Sequence, residues 1–207
     1  MTSHATRPEV WLRGPTPGIP VPLQPVAHAV LQALEDVEAL LSDVQTLEDA
    51  GGLPSGEGRG DADRSVGREH AADDDLWTSP GGAATAGFHV RHMAGSLDRL
   101  LTYARGETLS DEQRAALAGE TAHTPDATAE ELLRLLRDVA GRALDQMRTT
   151  RIEELDDHRA VGRLGYPSSV RGLLYHAGEH TSRHAGQVIT TVKIVRGMRR
   201  GGDFHDA

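Results

Sequence analysis

An all-α four-helix bundle is the fold this sequence predicts, with an extended N-terminal arm and a long loop between its first two helices. Four stretches carry apolar residues at three- and four-residue steps, as the buried face of a helix requires. No stretch alternates apolar and polar residues with period two over a convincing span, and none repeats at a fixed period. Long helices without strands must bury their stripes against one another, which makes a bundle.

Residues 1–20 contain Pro8, Pro15, Pro17 and Pro20. Proline fixes φ and removes a backbone donor, so this is an extended arm and not a helix. The first helix spans about 22–49, where Val26, Val30, Leu34, Val37, Leu41 and Val44 recur at helical steps. A Gly- and Asp-rich loop over 51–80 follows, with little to bury and expected mobility near 51–75. The second helix lies between turn residues Pro80, Gly81 and Gly82 and a stop at Gly106, with Val90, Met93, Leu97 and Leu101 on its apolar face. Thr128 and Glu131 form a capping-box pattern that opens the third helix, about 128–149. Ser168 and Ser169 follow Pro167 and offer an N-cap for the fourth, about 168–197, with Gly197 as its stop. The expected organisation is therefore an arm at 1–20, a bundle at 21–200 and a tail at 201–207.

Composition removes several function classes. The chain has 207 residues and no cysteine, which excludes disulfides, thiolate metal sites and a protein-borne thiol nucleophile. Any thiol chemistry must use a thiol brought by substrate or cosubstrate. With 22 Lys and Arg against 31 Asp and Glu, the net charge of −9 opposes binding to a polyanion, so no nucleic-acid partner is expected. No apolar run reaches the ~18 residues of a membrane span, and the N-terminus lacks a signal-peptide core. No membrane partner and a cytoplasmic location follow as expectations.

The chemistry concentrates in the fourth helix. His176, His180 and His184 are spaced four residues apart and share a helical face, drifting ~40° per step. Two histidines at that spacing can hold one metal ion, because their side chains emerge one turn apart. The surrounding stripe of Val170, Leu173, Ala177, Thr181, Val188, Val192 and Val195 is largely apolar and includes His184, which directs the pair inward. A third ligand must come from another helix, and the second helix offers His89 and His92.

The stretch GFHVRHMAGSLDR from Gly87 to Arg99, taken with His180-x3-His184-x-Gly186-Gln187, resembles the DinB-like (DinB/YfiT-type) superfamily of metal-binding four-helix bundles. That resemblance implies the ligand set His92, His180 and His184; His176, one turn before His180, is the rival ligand by its spacing. Arg183 and Ala185 stand where similar proteins often carry histidine and arginine, and the 51–80 insertion is long. Gln187, seven residues after His180, lies on the same face and is placed to orient a ligand or bound water, while side-chain-free Gly186 would let a neighbouring helix come close. Glu179 is the nearby candidate catalytic carboxylate, although it points about 100° away from His180 around the helix.

Three neutral imidazoles leave a divalent metal with open positions. Nitrogen ligation suits Zn or Ni, and also Fe or Cu. A metal so held can activate water for hydrolysis or a bound thiol for attack on an electrophile. The resemblance implies the same pair of activities, thiol S-transfer or hydrolysis on a small-molecule substrate, with a low-molecular-weight thiol as possible cosubstrate, and it implies a homodimer. The competing expectation is non-catalytic: a metal-stabilised dimeric helical bundle or a binding protein, whose ion would be closed off by a fourth protein ligand.

Overall fold

The computed structural model describes residues 7–49, 75–122 and 127–202. Its elements are α1 (Gln24–Asp49), α2 (Ala86–Ala104), α3 (Asp111–Gly119), α4 (Ala129–Thr149), β1 (His158–Val161), β2 (Tyr166–Ser169) and α5 (Val170–Gly202), with short 3₁₀ turns between them. The fold is all-α, as the hydrophobic spacing predicts. Helix α5 packs on α1 and α2, and α4 packs on the same two helices from the other side. Four helices α1, α2, α4 and α5 thus enclose one core, with α1 and α2 at opposite corners.

The core follows the predicted stripes. Val90, Met93, Leu97 and Leu101 of α2 interleave with Leu136, Val139 and Met147 of α4 and with Leu174, Val188 and Val192 of α5, all buried. Fully burying one such side chain contributes ~1.5–3 kcal/mol. The caps are as local chemistry demands. In α2 the Thr85 hydroxyl accepts from the Phe88 N–H at 3.1 Å. At its far end Gly106 takes φ +79°, and the Glu107 N–H reaches the Thr102 carbonyl at 3.2 Å, a left-handed closure that suits glycine. The Thr128 and Glu131 capping box forms in both directions.

Several expectations need correction. Helix α3 was not foreseen, although Ser110 and Gln113 make a reciprocal capping box at its start. The absence of strands does not hold either. Residues 158–161 and 166–169 form a two-stranded antiparallel hairpin, closed by Gly162 and Gly165, both at positive φ. Four-residue strands are too short to display a period-two signal. The hairpin delivers the chain to α5, where the Ser169 hydroxyl caps the Gly172 N–H at 3.1 Å. Gly197 does not stop α5. A glycine ends a helix by adopting the left-handed conformation, and here the chain runs on through Arg199 and Arg200. Arg196 and Arg199 both pair with Asp75, which anchors that last stretch.

The arm is strapped along α1. The Val10 N–H donates to Gln32, Arg13 makes a two-pronged pair with Glu35 at 2.6 and 2.7 Å, and Ile19 is buried. Among its described residues it contains a 3₁₀ turn, Val10–Arg13, where an extended chain was expected. Most of the 51–80 segment and the tail beyond 202 lie outside the described residues, so the expected mobility near 51–75 does too. The end of that segment joins the body, since Leu76 is buried in the core. Among the described residues, no helix is long and apolar enough to cross a membrane.

Candidate metal centre

Where α2 and α5 cross, the structure brings together the three histidines that the motifs single out. His92, His180 and His184 each offer a ring nitrogen, and the three nitrogens lie within 4.8 Å of one another. The Nε2 atoms of His92 and His180 are 3.0 Å apart. Ring centroids are separated by 4.5 Å between His180 and His184 and by 4.6 Å between His92 and His184. Local helix geometry accounts for this: His180 and His184 project from consecutive turns, and the α2–α5 packing carries His92 to face them.

The histidines sit at the edge of the core. The α5 stripe from Val170 and Leu173 through Ala177, Thr181, Val188 and Val192 to Val195 is buried, while His180 and His184 are half-buried at its border. That corrects the expectation that His184 points into the bundle interior. Burial nonetheless pulls His180 down to about 4, helped by His92, and pulls His184 down to about 4, helped by His180 and His92. Burial also lowers His89. The His180 and His184 rings are thus neutral at pH 7, with lone pairs available to a cation.

Their outward nitrogens differ. His92 Nδ1 lies 2.7 Å from Glu120 Oε2, and His184 Nδ1 lies 3.0 Å from His89 Nδ1. His180 Nδ1 is buried with no partner among the described residues. Of the two α2 histidines, His92 joins the cluster and the buried His89 stands behind His184. Phe88 stacks on His92 at 5.5 Å and shields that flank.

The other candidates stand around the cluster. His176, the rival ligand, is outside the three-nitrogen group; its side chain is exposed, and its Nδ1 lies 3.2 Å from Glu179. The Glu179 carboxylate is engaged by Arg183 and His176 on the outer side of α5, which draws it below the ordinary carboxylate range through Arg183 first. Gln187 is exposed and makes no hydrogen bond to the cluster among the described residues; it lines an adjacent open groove. Gly186 lines the same groove, and nothing lies within 4 Å of where a Cβ would stand. It admits no neighbouring helix, contrary to expectation; Gly178 does so instead, with Val26 and Ala29 of α1 against it.

The groove has a volume of about 800 Å³ and runs along α5 from His89 and Arg183 past Thr190 to Ile194 and Met198. A largely apolar cleft with a few polar groups is the usual form of a small-molecule site. Pro80 and Gly81, the end of the 51–80 segment, form part of its wall.

The residues fit a metal ion. Three ring nitrogens converge, no fourth His, Asp or Glu atom joins them among the described residues, and one ring is backed by a carboxylate. Sequence reasoning missed Glu120. It lies 28 residues from His92, and no local spacing connects them. Among comparisons with known proteins, a family model described as the DinB superfamily matches residues 61–188, more than half of the chain. No curated protein matches it.

Proposed function

The chain belongs to the DinB superfamily, and on that premise we propose that it is a metal-dependent enzyme acting on a small molecule by thiol S-transfer or hydrolysis. His92, His180 and His184 are the ligands, Zn or Ni the ion best suited to three imidazoles, and Fe or Cu the alternatives. The observation that carries the reading is the convergence of three nitrogens, and among the described residues only three, within 4.8 Å beside an open groove. Three protein ligands leave positions for water or substrate, whereas structural sites close with a fourth.

Bound there, a divalent ion lowers the pKa of a water or thiol toward neutrality. The chain's own residues supply the rest. His180 and His184, kept neutral by burial, bind without first losing protons, Phe88 excludes water from one side of His92, and the apolar groove along Ile194 and Met198 orients the substrate body. Thr190, Gln187 and Arg183 give that groove its polar contacts. Since the chain has no cysteine, the thiol of an S-transfer comes from a cosubstrate. A homodimer, as in similar proteins, is part of the proposal.

The test is turnover by the metal-reconstituted protein in two assays. One couples a low-molecular-weight thiol to a chromogenic aryl halide; the other hydrolyses an activated ester. Metal-dependent turnover in either, abolished by chelation and in His184→Ala, is the expected result. A protein that holds its metal and accelerates neither reaction would be a metal-stabilised binding bundle instead.

A further inference from the structure

We propose that Glu120 is the positioning residue of this centre, fixing His92 with its proton on Nδ1 and its Nε2 lone pair turned toward His180 and His184. The proposal deepens the metal reading and rests on it for its consequence. Its geometric basis stands by itself.

Glu120 follows α3 and is only 5% exposed. A buried carboxylate is costly unless charged or donor groups meet both oxygens. Both are met. Oε1 accepts from Arg99 Nη1 at 2.5 Å, and Oε2 lies 2.7 Å from His92 Nδ1. A carboxylate oxygen only accepts, so the ring nitrogen facing it is the donor. Imidazole with its proton on Nδ1 has a bare lone pair on Nε2, the atom 3.0 Å from His180 Nε2. Carboxylate backing of this kind fixes ring orientation and raises the basicity of a ligand.

The sequence of α2 is built around that carboxylate. His92, Gly95 and Arg99 fall at i−3, i and i+4, so they share one face, with the glycine in the middle. A Cβ on Gly95 would stand 2.5 Å from Glu120 Oε1 and 2.8 Å from Arg99 Nη1. Glycine inside a helix costs ~1 kcal/mol relative to alanine, so its use here has a local reason: it makes room for the carboxylate. The backbone is held as well. Arg91 donates to the Glu120 carbonyl at 2.9 Å and to that of Ala122, and its guanidinium lies over the Trp77 ring at 5.4 Å. A simple staple between α2 and the segment after α3 would need only Arg99; the reach to His92 is what a ligand requires.

The experiment has two readouts. Nitrogen-15 NMR of the metal-free protein at neutral pH should find His92 protonated on Nδ1. Zn²⁺ competition titration should then find affinity ~10–100-fold weaker in Glu120→Ala, with Glu120→Gln between it and wild type because the amide oxygen still accepts. Gly95→Ala keeps every polar group and improves helix propensity, yet should also weaken Zn²⁺ binding and release the His92 tautomer. It serves if Glu120→Ala does not fold. A wild-type His92 protonated on Nε2, or wild-type affinity in Gly95→Ala and Glu120→Gln alike, overturns the proposal. Failure of the wild type to bind Zn²⁺ overturns the metal reading instead, and the tautomer measurement still decides the role of Glu120.

Discussion

His180 and His184 titrate near 4 in the folded chain, against ~6.5 for an unperturbed histidine. Between those values the unfolded state binds more protons than the folded one. Stability of the metal-free protein is therefore complete above ~6.5 and falls as pH drops toward 4. Thermal unfolding across that window should show a declining midpoint, and a flatter decline in the His180→Ala, His184→Ala double variant. A midpoint that rises on acidification would contradict the assigned burial. The three clustered histidines were legible because two sit one turn apart and the third lies in a recognisable stretch of α2. Glu120 was not legible, since its pairing depends on how the segment after α3 folds back over Gly95. Gln187 was readable as a position on a helix face, but the groove it lines is a property of tertiary packing.

At the level of elements, helix ends were decided by cap chemistry more than by composition. Thr128 and Gly106 announced themselves, and Ser110 carried an equally good box that went unread because few apolar residues follow it. None of the residues of α3 is buried, so it has no stripe to detect. It is held by that cap and by Gln113, which donates to Asp98 and Thr102 of α2. Ser110→Ala should lower urea-unfolding stability by ~0.5–2 kcal/mol, and no measurable change would mean the cap is dispensable. Gly197 misled for the opposite reason. A glycine followed by Met198, Arg199 and Arg200, with Asp75 bonding two of the neighbouring arginines, has every reason to stay helical.

Across the whole molecule, a bound ion would tie α2 to α5 directly, in addition to the core between them. Anything that binds only the folded state stabilises it by mass action, by about 2.7 kcal/mol at a hundredfold excess over Kd. Zn²⁺ or Ni²⁺ should accordingly raise the melting temperature of wild-type protein and leave His180→Ala unmoved; equal shifts in both would place the ion elsewhere. The four long helices and their order were readable at this scale, because four amphipathic stripes must bury against one another, whereas the short α3 was not and the family was readable only from the two histidine motifs. The arm's course along α1 was not readable, because it depends on Gln32 accepting from the Val10 N–H and Glu35 accepting from Arg13, contacts that no local spacing announces.

On the proposed reading, His92, His180 and His184 hold one metal ion. Its most direct measurement is elemental mass spectrometry on protein purified without a histidine tag, beside His92→Ala. The account predicts about one equivalent of Zn or Ni in the wild type, lost in the variant, with helix content retained in both. No metal in the wild type after reconstitution, or equal metal in His92→Ala, would contradict it.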